Sequence, residues 1–184
     1  MGQPADRMIN LFGALAQGVS DRVRTAISAA FPIGGEAAAA LIVIGHEPGM
    51  SIEQISRILR LSHAGTVRLV ERLVAHDLIA KARSASDRRM ARVILTPTGE
   101  EQRAGLLSVR NDAVAALLAE VPAANRAALE RVAETVLTSL LADVTSEALT
   151  TCRFCDQERC PDCPMDRPRD AAPFTAAASH RPHS

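Results

Sequence analysis

The chain has no Trp, no Tyr and only four Phe in 184 residues. A protein that reads single-stranded nucleic acid by stacking bases on rings needs more aromatic surface than that. No apolar run approaches the ~20 residues of a membrane span. The opening MGQPADRMINLFGAL lacks a basic start followed by a long apolar stretch, so it does not read as a secretion signal. The expected location is the cytoplasm, with no membrane contact. Catalytic signatures are also missing: there is no phosphate loop and no nucleophile elbow, and His46-Glu47 runs into Pro48-Gly49 rather than toward a second zinc-binding His. An enzyme is not expected. Finally, no cysteine stands outside residues 152 to 163.

Net charge is zero, with 21 basic and 21 acidic side chains, yet the charges are segregated. Residues 51 to 99 hold nine Arg and Lys (Arg57, Arg60, Arg68, Arg72, Lys81, Arg83, Arg88, Arg89, Arg92) against four acids (Glu53, Glu71, Asp77, Asp87). A basic middle between acidic flanks points to a polyanion partner, set against a merely solvated charged face.

Apolar residues make up 47% of the chain, enough for a core. Met8, Leu11, Phe12, Leu15, Val19, Val23, Ile27 and Phe31 recur at helical steps, and Pro32 with Gly34-Gly35 ends that helix. EAAAALIVIGH, 36 to 46, is apolar nearly all round and is expected to be buried. Ser51 and Gln54 read as a capping box for SIEQISRIL, with Arg60-Leu61 as the break and Ser62 as the next N-cap. Two short helices joined by a tight turn are the sequence form of helix-turn-helix. On the second, Thr66, Leu69, Val70 and Leu73 share one side, and Ala64, Arg68, Glu71 and Arg72 lie opposite.

Residues 78 to 82 and 91 to 96 read as the arms of a basic β-hairpin, which makes the unit a winged helix. Thr98 with Glu101 reads as the cap of a long helix from about 99 to 120, and a last helix spans 125 to 149 with Leu129, Val132, Val136, Leu140, Val144 and Ala148 on one stripe. The fold class is mainly α (α+β): a winged helix-turn-helix with N- and C-terminal helices. Those terminal stripes exceed the needs of a small winged helix, and a homodimer interface is their economical use; an enlarged monomeric bundle is the rival. Residues 167 to 184, rich in Pro and Ala without periodicity, read as a disordered tail.

The order helix, helix, SIEQISRILRLSHAGTVRLVERLVAHDLIAKARSASDRRMARVILTPTGEE, then two long helices resembles the MarR family of bacterial transcriptional regulators. The resemblance spans roughly residues 6 to 150. Its motifs are Asp87-x-Arg89 with Val93-x-Leu95-Thr96-x-x-Gly99 in the wing, and Ser62, Arg68-Leu69-Val70-Glu71-Arg72-Leu73 and Leu78-Ile79 around the second helix. Two departures stand out: Val67 where many members carry a hydroxyl, and Asp77 where many have Gly. The resemblance implies a DNA-binding lobe over 36 to 99 and dimerisation helices over 6 to 31 and 99 to 149. It implies a homodimeric regulator, a repressor by expectation, on palindromic double-stranded DNA, with a small effector between the dimer helices and the lobe. The competing reading is a metal-bearing protein-interaction module without specific DNA binding.

In helix-turn-helix docking the second helix enters the major groove N-terminal end first, which nominates Ser62, His63, Ala64, Val67 and Arg68 for base edges. Arg72 and Arg57 are assigned to phosphates. Arg83, Arg88, Arg89 and Arg92 are the wing candidates. The family's wing places Arg88 toward the minor groove, and the Asp87–Arg89 pair shapes the wing.

Residues 151 to 166 hold Cys152, Cys155, Cys160 and Cys163 in C-x2-C-x4-C-x2-C spacing. Four thiolates can close a tetrahedral zinc site. The same pairs, with Pro after Cys160 and Cys163, suit an iron–sulfur cluster. A dithiol switch and incidental cysteines are the remaining readings. Because the motif follows a helix expected to build the dimer, ligation or oxidation is expected to act by altering dimer-helix packing. A zinc that merely folds the tail is the simpler rival.

Overall fold

The computed structural model describes residues 5–83, 91–142 and 148–165. In chain order the elements are α1 (Asp6–Ala30), α2 (Gly35–His46), β1 (Met50–Ser51), α3 (Ile52–Leu59), α4 (His63–Ala75), β2 (Ile79–Arg83), β3 (Ala91–Leu95), α5 (Pro97–Ala119), α6 (Ala123–Ala142), α7 (Ala148–Cys152) and a 3-10 turn (Gln157–Arg159). Ala37 to Ile44 are all buried, as an all-round apolar α2 requires. Around α2 pack Ile55 and Ile58 of α3, Leu69, Val70 and Leu73 of α4, Val93 of β3, and Leu106 and Leu107 of α5. Helix α1 joins this core only at its C-terminal end, through Ile27 with Phe31 just beyond, while Met8, Ile9, Leu11, Phe12 and Leu15 stay exposed.

The sheet is antiparallel in the order β1-β3-β2, with Met50 opposite Val93 and Ile79 opposite Leu95. Strand β1 was not anticipated. Two residues are too short to show a period, and pairing is decided by β3 lying alongside. The start of α5 also differs from expectation. Its cap is Thr96, not Thr98: the Thr96 hydroxyl accepts from the Gly99 amide at 3.0 Å and donates to the Asp77 carbonyl at 2.6 Å. Pro97 then opens the helix, where a missing N–H costs nothing. Asp77 itself takes φ 55°, the left-handed conformation for which many family members use Gly.

Of the expected helix 125–149, residues 143–147 lie outside the described residues. Helix α6 runs to Ala142, and α7 packs on α3. Residues 84–90, with Asp87, Arg88 and Arg89 at the expected wing tip, lie outside the described residues, as do Val144 and the tail 167–184. Among the described residues no single helix is long and apolar enough to cross a membrane.

Candidate nucleic-acid interface and cysteine site

Helix α3 begins with a complete capping box. The Gln54 amide donates to Ser51 Oγ at 3.2 Å, and the Ser51 amide donates to Gln54 Oε1 at 2.9 Å. The helix stops because Arg60 turns left-handed at φ 54°. Ser56 closes the turn twice: its carbonyl accepts from the Leu61 amide at 3.0 Å and its hydroxyl donates to the Leu61 carbonyl at 2.7 Å. Ser62 caps α4 by accepting from the Gly65 amide at 3.1 Å. The buried Thr66 hydroxyl is satisfied by donating to the Ser62 carbonyl at 3.0 Å.

Those bonds orient α4. Thr66, Leu69, Val70 and Leu73 are buried, whereas Ser62, His63, Ala64, Arg68, Glu71 and Arg72 are exposed and Val67 is half-buried. Among the described residues neither Arg68 nor Arg72 enters an ion pair. Arg57 stands exposed on α3. Arg92, read as a wing cation, has an internal task as well: it donates to the Gly49 carbonyl at 2.9 Å and so ties the turn before β1 to β3. Arg83 ends β2 opposite Ala91.

The cysteine segment lies against α5 and α6, helices expected to build the dimer, and also against the winged-helix lobe. It is seated at the junction of α2, α3 and α5. Leu149 and Cys152 of α7 are buried, and Phe154 packs against the main core. The Cys155 carbonyl accepts from His46 Nε2 at 2.9 Å across 109 residues of sequence. Asn111 on α5 donates to the Asp156 carboxylate at 3.2 Å. His46 thus does more than flank the turn after α2. On its other side Arg103 Nη2 lies 3.2 Å from His46 Nδ1. A guanidinium can only donate, so Nδ1 is the acceptor and the ring proton sits on Nε2, aimed at Cys155. His46, Arg103 and Asn111 carry no local sequence signal for this role, because their partners lie dozens of residues away.

Burial lowers the His46 pKa, opposed by the Cys155 carbonyl and assisted by Arg103. An imidazole whose folded pKa is lowered binds more protons when unfolded, so its contribution to stability falls as pH drops below the ordinary value of 6.5. Acidification through that range is expected to loosen residues 152–156. Faster amide exchange there, removed in His46→Gln, is the check; pH-independent exchange would contradict it.

All four cysteines are free thiols. Donation from the neighbouring Cys152 thiol lowers the Cys155 pKa to about 6, with burial opposing and Arg110 helping, and the same neighbour together with burial raises that of Cys152. No group of three or more His, Cys, Asp and Glu side chains among the described residues is disposed to hold a metal ion as it stands.

Residues 31–90 match the model of the MarR family. No curated protein matches the chain. Among solved structures, a MarR family protein from Bacillus stearothermophilus shares 20% identity and superposes with a TM-score of 0.66 over 76% of this chain and 99% of its own. Wild-type apo MarR from E. coli shares 20% identity at a TM-score of 0.59 over 74% of this chain and 99% of its own. A point mutant of S. aureus MepR bound to an oligodeoxyribonucleotide shares 17% identity at a TM-score of 0.54 over 72% of this chain and 97% of its own. With the helix-turn-helix, the hairpin and the flanking helices in the expected order, residues 31–90 resemble the MarR family and the chain shares the winged-helix fold of these structures.

Proposed function

We propose that the chain is a repressor that binds palindromic double-stranded DNA as a homodimer, presenting α4 to the major groove. One observation carries this reading: the first turns of α4 expose His63, Ala64 and Arg68 on the side opposite a fully buried face, with Arg72 one turn on. Small residues at the tip admit close approach, Arg68 supplies a fork for a guanine, and Arg72 and Arg57 supply phosphate contacts. The hairpin sequence beside it carries Lys81, Arg83 and Arg92; by resemblance to the family, Arg88 is assigned to the minor groove and Arg89, with Asp87, to the DNA backbone. The MepR neighbour bound to an oligodeoxyribonucleotide supports the reading.

The dimer is supported by an apolar face with no cover in one chain: Met8 is 62% exposed, Leu15 54%, Val132 52% and Leu140 49%. A two-fold pairing of such faces sets two α4 helices apart, and half-sites one DNA turn apart require about 34 Å. Phe12→Asp with Leu15→Asp is expected to shift the protein to monomer in sedimentation and to abolish operator binding while the circular dichroism spectrum persists. A monomeric wild type would remove the dimer from the reading. Modulation, by a small effector or by the cysteines, is assigned to the cavity between α3, α5 and residues 148–165.

The direct test is a mobility shift of the full chain against genomic fragments, repeated across salt concentrations. Retention of a few fragments, weakening steeply with salt, is the expected result. Retention of none would favour the protein-interaction module.

A further inference from the structure

We propose that Cys152, Cys155, Cys160 and Cys163 form a four-thiolate site for a zinc-class divalent ion, and that this ion staples residues 148–165 onto the back of the helix-turn-helix. All four cysteines, together with Met165, line one cavity of about 420 Å³. Its opposite wall is Ile58 of α3 and Arg110 of α5. A wall of thiols and a thioether selects a soft or borderline metal over a hard one.

The four thiols face one cavity, and with zinc–sulfur bonds near 2.3 Å a ZnS4 tetrahedron spans only ~3.8 Å between sulfurs, so one ion can draw all four together. An iron–sulfur cluster uses the same four thiolates and is the outcome that metal analysis distinguishes. The geometry is not closed as it stands, since no three of these side chains already surround one point. Closure requires side-chain rotation and movement of the turn that carries the exposed Cys160. Binding forms four metal–sulfur bonds, releases one proton from each thiol still protonated, and leaves a dianionic centre. Arg110 on the cavity wall supplies counter-charge.

The ligands sit between fixed anchors. Cys152 ends α7, which packs on α3; the Cys155 carbonyl is held by His46; and Asp156 is held by Asn111. Ligation therefore acts on the winged-helix lobe through α3 and His46, and on α5, a helix assigned to the dimer, through Asn111.

The test uses the full chain purified without oxygen, and its readouts are independent of DNA. Metal analysis is expected to give about one zinc per chain. Replacement by Co2+ is expected to give the intense visible bands of a tetrahedral thiolate complex, lost in Cys160→Ala with Cys163→Ala. The thermal midpoint of wild type is expected to fall on chelation, which needs no variant to fold. Iron with acid-labile sulfide and a broad visible band would overturn the zinc assignment. No bound metal, no cobalt spectrum and four freely titrating thiols would overturn the metal site and leave Cys152–Cys155 a dithiol pair.

Discussion

Arg68→Ala is expected to change which DNA sites the protein prefers, whereas Arg72→Ala weakens all sites alike. Both side chains are exposed on α4, but they sit at different depths along the helix in the proposed docking, N-terminal end first. Arg68 lies in the second turn, within reach of base edges, and Arg72 lies a full turn farther back. A bidentate arginine–guanine contact discriminates by about 1–3 kcal/mol, so its loss flattens preference roughly 5- to 150-fold at one base position. A phosphate contact carries no sequence information. Its loss lowers affinity across sites and reduces the slope of log affinity against log salt by about one. The measurement is the affinity of each variant for an operator and for its single-base substitutions at two salt concentrations. Equal losses on every site for both variants would sink the assignment of Arg68 to a base.

The second large effect is on stability. Gly99→Ala is expected to lower the free energy of unfolding by about 3 kcal/mol, at the upper end of overpacking penalties. A methyl group at residue 99 would stand 1.9 Å from the Leu78 carbonyl oxygen. That carbonyl cannot swing aside, because it accepts the Thr96 amide at 3.2 Å while the Leu78 amide is held by the Leu73 carbonyl at 3.0 Å. The strain therefore falls on the corner where α4, β2 and α5 meet. Gly105→Ala is the control: nothing lies within 4 Å of the added atom, and the site is exposed in mid-helix. Propensity alone predicts a gain there of roughly 0.5–1 kcal/mol. Urea midpoints measured at unchanged slope distinguish the two variants. A Gly99→Ala protein as stable as wild type would mean that α5 does not enter against Leu78.

Much of the DNA-binding lobe was legible because its signals are local. A capping box is settled within three residues, as at Ser51 and Gln54, and an apolar stripe within two helical turns, as from Thr66 to Leu73. The left-handed Asp77 was flagged by standing where a glycine is common, and it adopts that conformation. The amphipathic terminal helices were legible for the same reason, since period does not depend on what covers the face.

Other features depended on contacts between distant parts of the chain. Thr96 and Thr98 are both plausible caps by sequence; the Asp77 carbonyl, meeting the Thr96 hydroxyl, chooses between them. Met50-Ser51 becomes a strand only because β3 offers it partners. Helical period by itself gave no sign that Leu149 and Phe154 pack into the main core. That packing sets the cysteines between the back of α3, under His46, and the helices α5 and α6 assigned to the dimer. Sequence by itself determined the winged-helix lobe, its caps and its exposed recognition face, all set by interactions within a few residues. Where the four thiols sit was decided by the tertiary structure, because the groups that hold them, His46 and Asn111 among them, lie dozens of residues away in sequence.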